Sequence, residues 1–231
     1  MIRQRSFNHS PLRLALAGAA LVFLLLVIVL VTVSVLEPGA GQVGAATVYE
    51  ETFDTAGSWG EGETHEVTGQ VANGVYELEV RTGYGLFTAT AGQTFGDGVY
   101  ELEATQLDGP LNNGYGMVFR VDEAGDAFYA FEVSGDGWVW IGYCQDRCRG
   151  QAIALVGQDW FRSPTVNVGL GETNKLRVVA EGSLMSFYVN GIEVGRAADG
   201  RLTSGDIGVM VETLGQRGVR VAFDNYRVNG P

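Results

Sequence analysis

Lysine and histidine are almost missing from this chain: Lys175 is the lone lysine, and His9 and His65 are the two histidines. The serines sit in no nucleophile-elbow pattern, so acyl transfer by a Ser-His-Asp set has little to draw on. No glycine-rich run has the P-loop form and no G-x-G-x-x-G opens a helix, which leaves nucleotide binding unsupported. Cysteine is limited to Cys144 and Cys148, in the run YCQDRCRG. A zinc centre would need further ligands, and His65 has no ligand-like spacing to the pair. The C-x3-C spacing is also not a C-x-x-C redox motif. In an oxidising compartment such a pair closes a short loop as a structural disulfide.

Acidic residues are absent before Glu37, and all 27 lie from there onward, together with 12 of the 15 basic residues. That part of the chain therefore carries a large negative excess, a field that repels nucleic acid and anionic lipid headgroups and argues against nucleic acid as a partner. The excess itself names no partner, since acidic surfaces commonly serve solubility.

From Leu14 to Leu36 the chain reads LALAGAALVFLLLVIVLVTVSVL, 23 residues without a charge. At about 1.5 Å per residue this helix spans a hydrocarbon core of roughly 30 Å, and it exceeds the usual apolar core of a signal peptide. Arg3, Arg5 and Arg13 precede it, and no Lys or Arg follows before Arg81. The positive-inside bias then leaves residues 1–13 as a cytoplasmic tail, 14–36 as a signal anchor in the cell membrane and the remainder outside. A cleaved signal peptide is the rival reading, because Val43-Gly44-Ala45 offers small residues where a peptidase cuts. Residues 37–46, EPGAGQVGAA, have linker composition.

Beyond Thr47 apolar and polar residues alternate, as in Val75-Tyr76-Glu77-Leu78-Glu79-Val80 and Val99-Tyr100-Glu101-Leu102-Glu103-Ala104. This is the period of half-buried strands. Similar runs occupy 115–121, 127–133, 138–144, 175–180, 184–189, 206–212 and 219–228. Turn signals separate them, above all Asn190-Gly191 between FYV and IEV, a type I′ hairpin signature. No window shows an extended helical period. With 34 glycines and some twelve short strands, residues 47–231 are expected to be all-β, a two-sheet antiparallel jelly-roll sandwich.

Four runs carry a family resemblance: ETFDTAGSW, NNGYGMVFRVDEAGDAFYAFEVSGDGWVWIGY, NKLRVVAEGSLMSFYVNGIEVGRA and GDIGVMVETLGQRGVRVAFDNYRV. In this order they resemble the concanavalin A-like lectin/glucanase superfamily, in particular exported bacterial domains related to laminin-G-like modules and the 3-keto-disaccharide hydrolase-like family. The resemblance implies a concanavalin A-like sandwich over roughly Val48 to Val228, and carbohydrate binding, adhesion or sugar chemistry. Members with laminarinase-like activity carry an E-x-D-x-x-E strand, which this chain lacks; Glu101-Leu102-Glu103, with Asp108 beyond, has no central Asp. Glu77/Glu79 and Glu101/Glu103 share strand faces opposite Tyr76, Leu78 and Val80 and opposite Tyr100 and Leu102, as the solvent side of amphipathic strands does.

Aromatic side chains give the strongest binding signal. Trp138, Trp140 and Tyr143 lie in one strand run, Tyr129 in the run before, and Trp160 in the irregular stretch after the cysteine loop. Flat rings stack on sugar faces, although a core is the commoner fate of such residues. Jelly rolls of the kind this chain resembles often hold a structural calcium between first and last strands. Glu51, Asp54 and Asp224 would be its partial carboxylate set; no other cofactor is expected. The sequence thus points to a membrane-anchored, non-catalytic module that binds carbohydrate or a cell-surface protein. Its rivals are a glycosidase or sugar-modifying enzyme, and a structural spacer.

Overall fold

The computed structural model describes residues 47–231 apart from 56, 58 and 150. The membrane span expected at 14–36 lies outside them, and among the described residues no helix is long and apolar enough to cross a membrane. The described residues form sixteen strands: β1 Thr47–Glu51, β2 Gly62–Glu63, β3 Val67–Ala72, β4 Val75–Val80, β5 Tyr84–Phe95, β6 Gly98–Asp108, β7 Gly114–Val121 and β8 Phe128–Ser134. Then follow β9 Trp138–Gln145, β10 Gln151–Ala154, β11 Phe161–Arg162, β12 Thr173–Glu181, β13 Leu184–Val189, β14 Ile192–Ala198, β15 Gly205–Leu214 and β16 Val219–Asn229.

They form two sheets. The larger runs β14-β13-β12-β6-β16-β4-β3-β2, with β1 also on β16; the smaller runs β10-β9-β8-β7-β15-β5, with β11 also on β9. Every pairing is antiparallel, as the meander of turn signals requires. Asn190 and Gly191 both adopt positive φ, 52° and 81°, and Asn73-Gly74 repeats the device at 55° and 76°. These values identify the tight hairpin turns whose twist matches the flanking strands.

The period-2 pattern decides which side chains meet. Tyr76 and Leu78 on β4, Leu102 on β6, Val178 on β12 and Phe223 on β16 face Met117 and Phe119 on β7, Phe131 on β8, Ile141 on β9 and Val209 on β15 in one closed core. Each such side chain contributes on the order of 1.5–3 kcal/mol through burial. Phe119 adds tilted ring contacts with Tyr129 on the neighbouring strand at 5.4 Å and with Phe187 across the sheets at 6.4 Å.

Strand β5 had no sequence signal. Its run YGLFTATAGQTF is small and polar, and it is an edge strand held to β15 alone within its sheet. A bulge bends it at Gly92, φ 73°, where Asp206 accepts the amide protons of Gly92 and Gln93, each at 2.9 Å. A strand whose place is fixed by a partner's carboxylate and by bulge geometry leaves little hydrophobic alternation to read.

Candidate functional site

The two sheets turn very different outer faces to solvent. On the larger sheet the glutamates of β4 and β6 stand beside cations or an amide from neighbouring strands or from the end of β4. Glu101 meets Lys175 at 3.3 Å and Arg177 at 3.8 Å, Glu77 meets Arg220 at 3.9 Å, and Glu79 meets Arg81 at 3.5 Å. Asn225 donates to Glu103 at 3.1 Å. These acids are the solvent side of amphipathic strands, as their alternation predicts. An open hollow beside Val99, Glu101, Arg177 and Asn229 lies on this face, but its carboxylate already has two cations.

On the smaller sheet the even-numbered positions of β8, β9 and β15, and of β7 as far as Val118, point outward, and they make a second apolar layer; at Arg120, φ 49°, the parity of β7 changes and Val121 joins the layer. Val118, Val121, Phe128, Ala130, Trp140, Cys144 and Met210 are its buried members, with Leu86, Cys148 and Trp160 packed against them. Trp138 and Trp140 share this face. Trp160 joins them because β11 pairs with β9 in the register Phe161↔Val139 and Arg162↔Trp138, which sends Phe161 toward the core and Trp160 and Arg162 outward. The Arg162 guanidinium lies 5.6 Å from the Trp138 ring centroid, a cation–π distance. Two glycines make room for the rings. A side chain at Gly142 would overlap the Trp140 ring, and one at Gly114 would meet Trp160 at 3.0 Å and run into the Glu132 carboxyl.

None of these three indole N–H groups donates a hydrogen bond to a described residue. The fourth tryptophan differs: Trp59 is 3% exposed in the core, and its N–H donates to the Tyr49 hydroxyl at 2.8 Å. Trp138 remains 36% exposed, Trp160 is half-buried, and Trp140 is buried, 7% exposed, beneath them.

Between the rings lies a carboxyl group that the sequence reading missed. Glu132, on β8 opposite Trp140, is 1% exposed, and its Oε2 has no hydrogen-bond partner among the described residues. Burial first, and then repulsion from Glu212, push its pKa well above the usual carboxylate range. Glu212, on the same face of β15, is raised likewise by burial and by Asp159 beside Trp160. Neither glutamate forms an ion pair with a described residue. The signal in the sequence was the parity of Glu132 inside AFYAFEVS: an acid on the same face as Phe128 and Ala130, with no lysine or arginine at the cross-strand positions.

The other expected site residues fall elsewhere. Tyr129 and Tyr143 occupy odd positions and point into the space between the sheets, where their rings meet edge to face at 5.8 Å. Tyr129 donates to Asp199 at 2.7 Å, and burial lifts its pKa to about 12. The Arg201 guanidinium covers Tyr143 at 4.9 Å. The sheet itself therefore separates both tyrosines from the tryptophans. Cys144 and Cys148 form the expected disulfide, closing the loop between β9 and β10. Among the described residues no group of three or more His, Cys, Asp or Glu is placed to hold a metal ion. Glu51 instead accepts the Phe53 amide at 2.9 Å, Asp54 the Thr52 hydroxyl at 2.8 Å, and Asp224 the Asn225 amide at 2.7 Å.

The sheet order and the two packed layers are those of a concanavalin A-like jelly roll. The carbohydrate binding module CBM66 from Bacillus subtilis matches with a TM-score of 0.56 over 81% of this chain and 98% of its own, at 19% identity. A Bacillus licheniformis beta-glucanase matches with a TM-score of 0.55 over 81% of this chain and all 100% of its own, at 12% identity. A Bacillus subtilis protein of unknown function with a galectin-like fold reaches 0.58 over 80% and 96%, at 14% identity. At such identities the likeness is one of fold. No protein-family model matches the chain, and no curated protein matches it in sequence.

Proposed function

We propose that residues 47–231 are a non-catalytic carbohydrate-binding module, held on the extracytoplasmic side of the cell membrane by the apolar segment 14–36. One observation carries the reading: Trp138, Trp140 and Trp160 gather on the outer face of the smaller sheet with all three indole N–H groups unbonded to described residues, while Trp59 is sealed and satisfied in the core. Indole rings offer apolar area for the C–H face of a sugar, and free N–H groups offer donors to its hydroxyls. The fold it shares with CBM66 is compatible with that use.

The test is glycan-array binding of the full chain, in a detergent without a sugar headgroup, with Trp138→Ala and Trp160→Ala beside it. Binding that falls at least about tenfold in both variants, equivalent to 1.4 kcal/mol, supports the assignment. Undiminished binding in both removes it, and capture of a cell-surface protein without any glycan replaces carbohydrate by protein as the partner.

The Glu132–Glu212 pair favours glycoside hydrolysis as a second reading, because one carboxyl held protonated beside another is the equipment of that reaction. Against it, Glu132 is sealed from solvent, whereas a general acid must reach the glycosidic oxygen. Turnover of a β-glucan panel that disappears in Glu132→Gln would establish hydrolysis.

A further inference from the structure

Among the described residues the larger sheet ends on β14 and β2, and the smaller on β10 and β5. Three of these ends carry the features that keep sheet edges from pairing with other chains: short length, charge or a bulge. β2 is two residues long and holds Glu63, and β10 has four residues. β14 carries Glu193 and Arg196 and meets β13 through a register shift. The first half of β5 has none of these. Residues 84–90 read YGLFTAT, without a charge or a proline, and the bulge at Gly92 lies beyond them. Such a stretch is exceptional in a chain that is strongly acidic from Glu37 onward.

The side chains of this stretch are incompletely covered. Phe87 and Ala89 pack against the core and yet are only half-buried. On the opposite face Tyr84 is 80% exposed, Thr88 is exposed and Leu86 is half-buried. An edge of this kind offers its backbone donors and acceptors to another extended strand. The stretch is also complementary to itself in the antiparallel sense. When two copies pair about Phe87, Tyr84 opposes Thr90 of the second copy, Leu86 opposes Thr88, and Gly85 opposes Ala89. Each larger side chain then meets a smaller one, and the two Phe87 rings form a cross-strand aromatic pair. Gly85 gives the Phe87 ring its room, because a side chain there would meet that ring at 2.8 Å. Two acidic copies repel wherever their charged surfaces approach, and this edge brings no like charges together. A charged peptide, by contrast, would find no counter-charge on it.

We infer that two copies of this chain associate edge to edge through residues 84–90 of β5, so that their smaller sheets run on as one. Residues directly opposite across an antiparallel pair share a face. The faces that carry Trp138 and Trp160 therefore come to lie on the same side of the joined sheet. The association stands apart from the carbohydrate reading. What rests on that reading is its consequence, that a dimer holds a glycan polymer by two linked sites and gains from their effective concentration. One strand from each copy is a small contact, of the weak and reversible class.

The experiment is sedimentation equilibrium of the full chain in detergent at up to about 100 μM, a range that covers weak interfaces. Thr88→Lys, Thr88→Glu and an equimolar mixture of the two variants are measured beside it, with near-ultraviolet circular dichroism to confirm the fold. The expected result is a reversible dimer of the native chain that each variant alone weakens at least about tenfold. The mixture should restore it, because diagonal positions across an antiparallel junction lie within reach of long side chains. A native chain that stays monomeric overturns the inference independently of how any variant folds. A dimer that both variants keep undiminished also overturns it and places the association elsewhere in the chain. Variants that lose the dimer and do not regain it on mixing overturn the pairing of β5 with its own copy. The second arm compares an immobilised polysaccharide with short oligosaccharides of the same repeat. The native chain should hold the polymer at least about tenfold more tightly, and Thr88→Lys should bring the ratio near one while oligosaccharide affinity is unchanged. A dimer without that ratio removes the bivalent use alone. No binding to any glycan removes the carbohydrate reading and leaves the dimer standing.

Discussion

The outer faces of the two sheets are built from the same alternating strands, yet one is balanced and the other is not. On the larger sheet, Glu77, Glu79, Glu101 and Glu103 stand in a lattice with Arg220, Arg81, Lys175, Arg177 and Asn225. On the smaller sheet, Glu132 and Glu212 stand among tryptophans with no cation among the described residues to neutralise them. Solvated surfaces settle toward the first arrangement, because exposed charges are easily screened and paired. The second is kept at a cost to stability, and unsatisfied groups retained at a cost cluster where a ligand completes them. The comparison is the ground for proposing a site on the smaller sheet.

The largest test of the contrast replaces an aromatic on each face. Trp140 is buried against Phe128, Met210 and Cys144, and Trp140→Ala should destabilise the fold by about 3 kcal/mol, lowering Tm by roughly 10 °C. Tyr188 on the larger sheet is half-buried on the outer face with Arg177 5.1 Å from its ring centroid, and Tyr188→Ala should cost about 1 kcal/mol, less than Trp140→Ala. Thermal denaturation of both variants reads the difference. Equal losses would mean that the apolar layer outside the smaller sheet is ordinary surface.

A smaller effect separates the acids. Folding raises the Glu132 pKa, by burial and then by repulsion from Glu212, so the folded chain keeps a proton that the unfolded chain releases. The stability this proton brings is whole below the unfolded value of about 4.3, and it is lost as pH rises from there through the raised folded value. Glu132→Gln removes the titration, leaving the milder contribution of Glu212, itself raised by burial and by Asp159. From about pH 4 to about pH 8 the native chain should therefore lose on the order of 1–2 kcal/mol more than the variant. Parallel Tm-against-pH curves would show that Glu132 already has a cationic partner in the folded protein.

Much of this architecture was legible in the residues, and the part that was not has definable causes. Period-2 alternation and Asn-Gly turns marked β4, β6, β12, β13 and β16, because each buries one face and wets the other. The same parity placed Trp138 and Trp140 together. Tyr143 differs in parity from both, and one step along a strand carried it to the core. β7, β8 and β9 are buried on both sides over most of their length, so their alternation is muted and Glu132 passes as an ordinary strand acid. Trp160 could be aimed only after β11 was found on the edge of β9, a two-residue strand below any periodicity signal.

The smallest expected effect probes the balanced face. Glu101 pairs with Lys175 and Arg177 across strands β6 and β12, and such half-exposed pairs are worth about 0.2–1 kcal/mol. Glu101→Gln should lower Tm by roughly 1–3 °C, and the loss should shrink as added salt screens the pairs in both proteins. It should leave glycan binding untouched, because Lys175 and Arg177 stay on the far side of the core from the tryptophans. Titration of the variant with the same oligosaccharides provides the check. If Glu101→Gln abolished binding while Trp138→Ala did not, the hollow beside Val99 and Asn229 would be the binding face, and the assignment of function to the smaller sheet would be reversed.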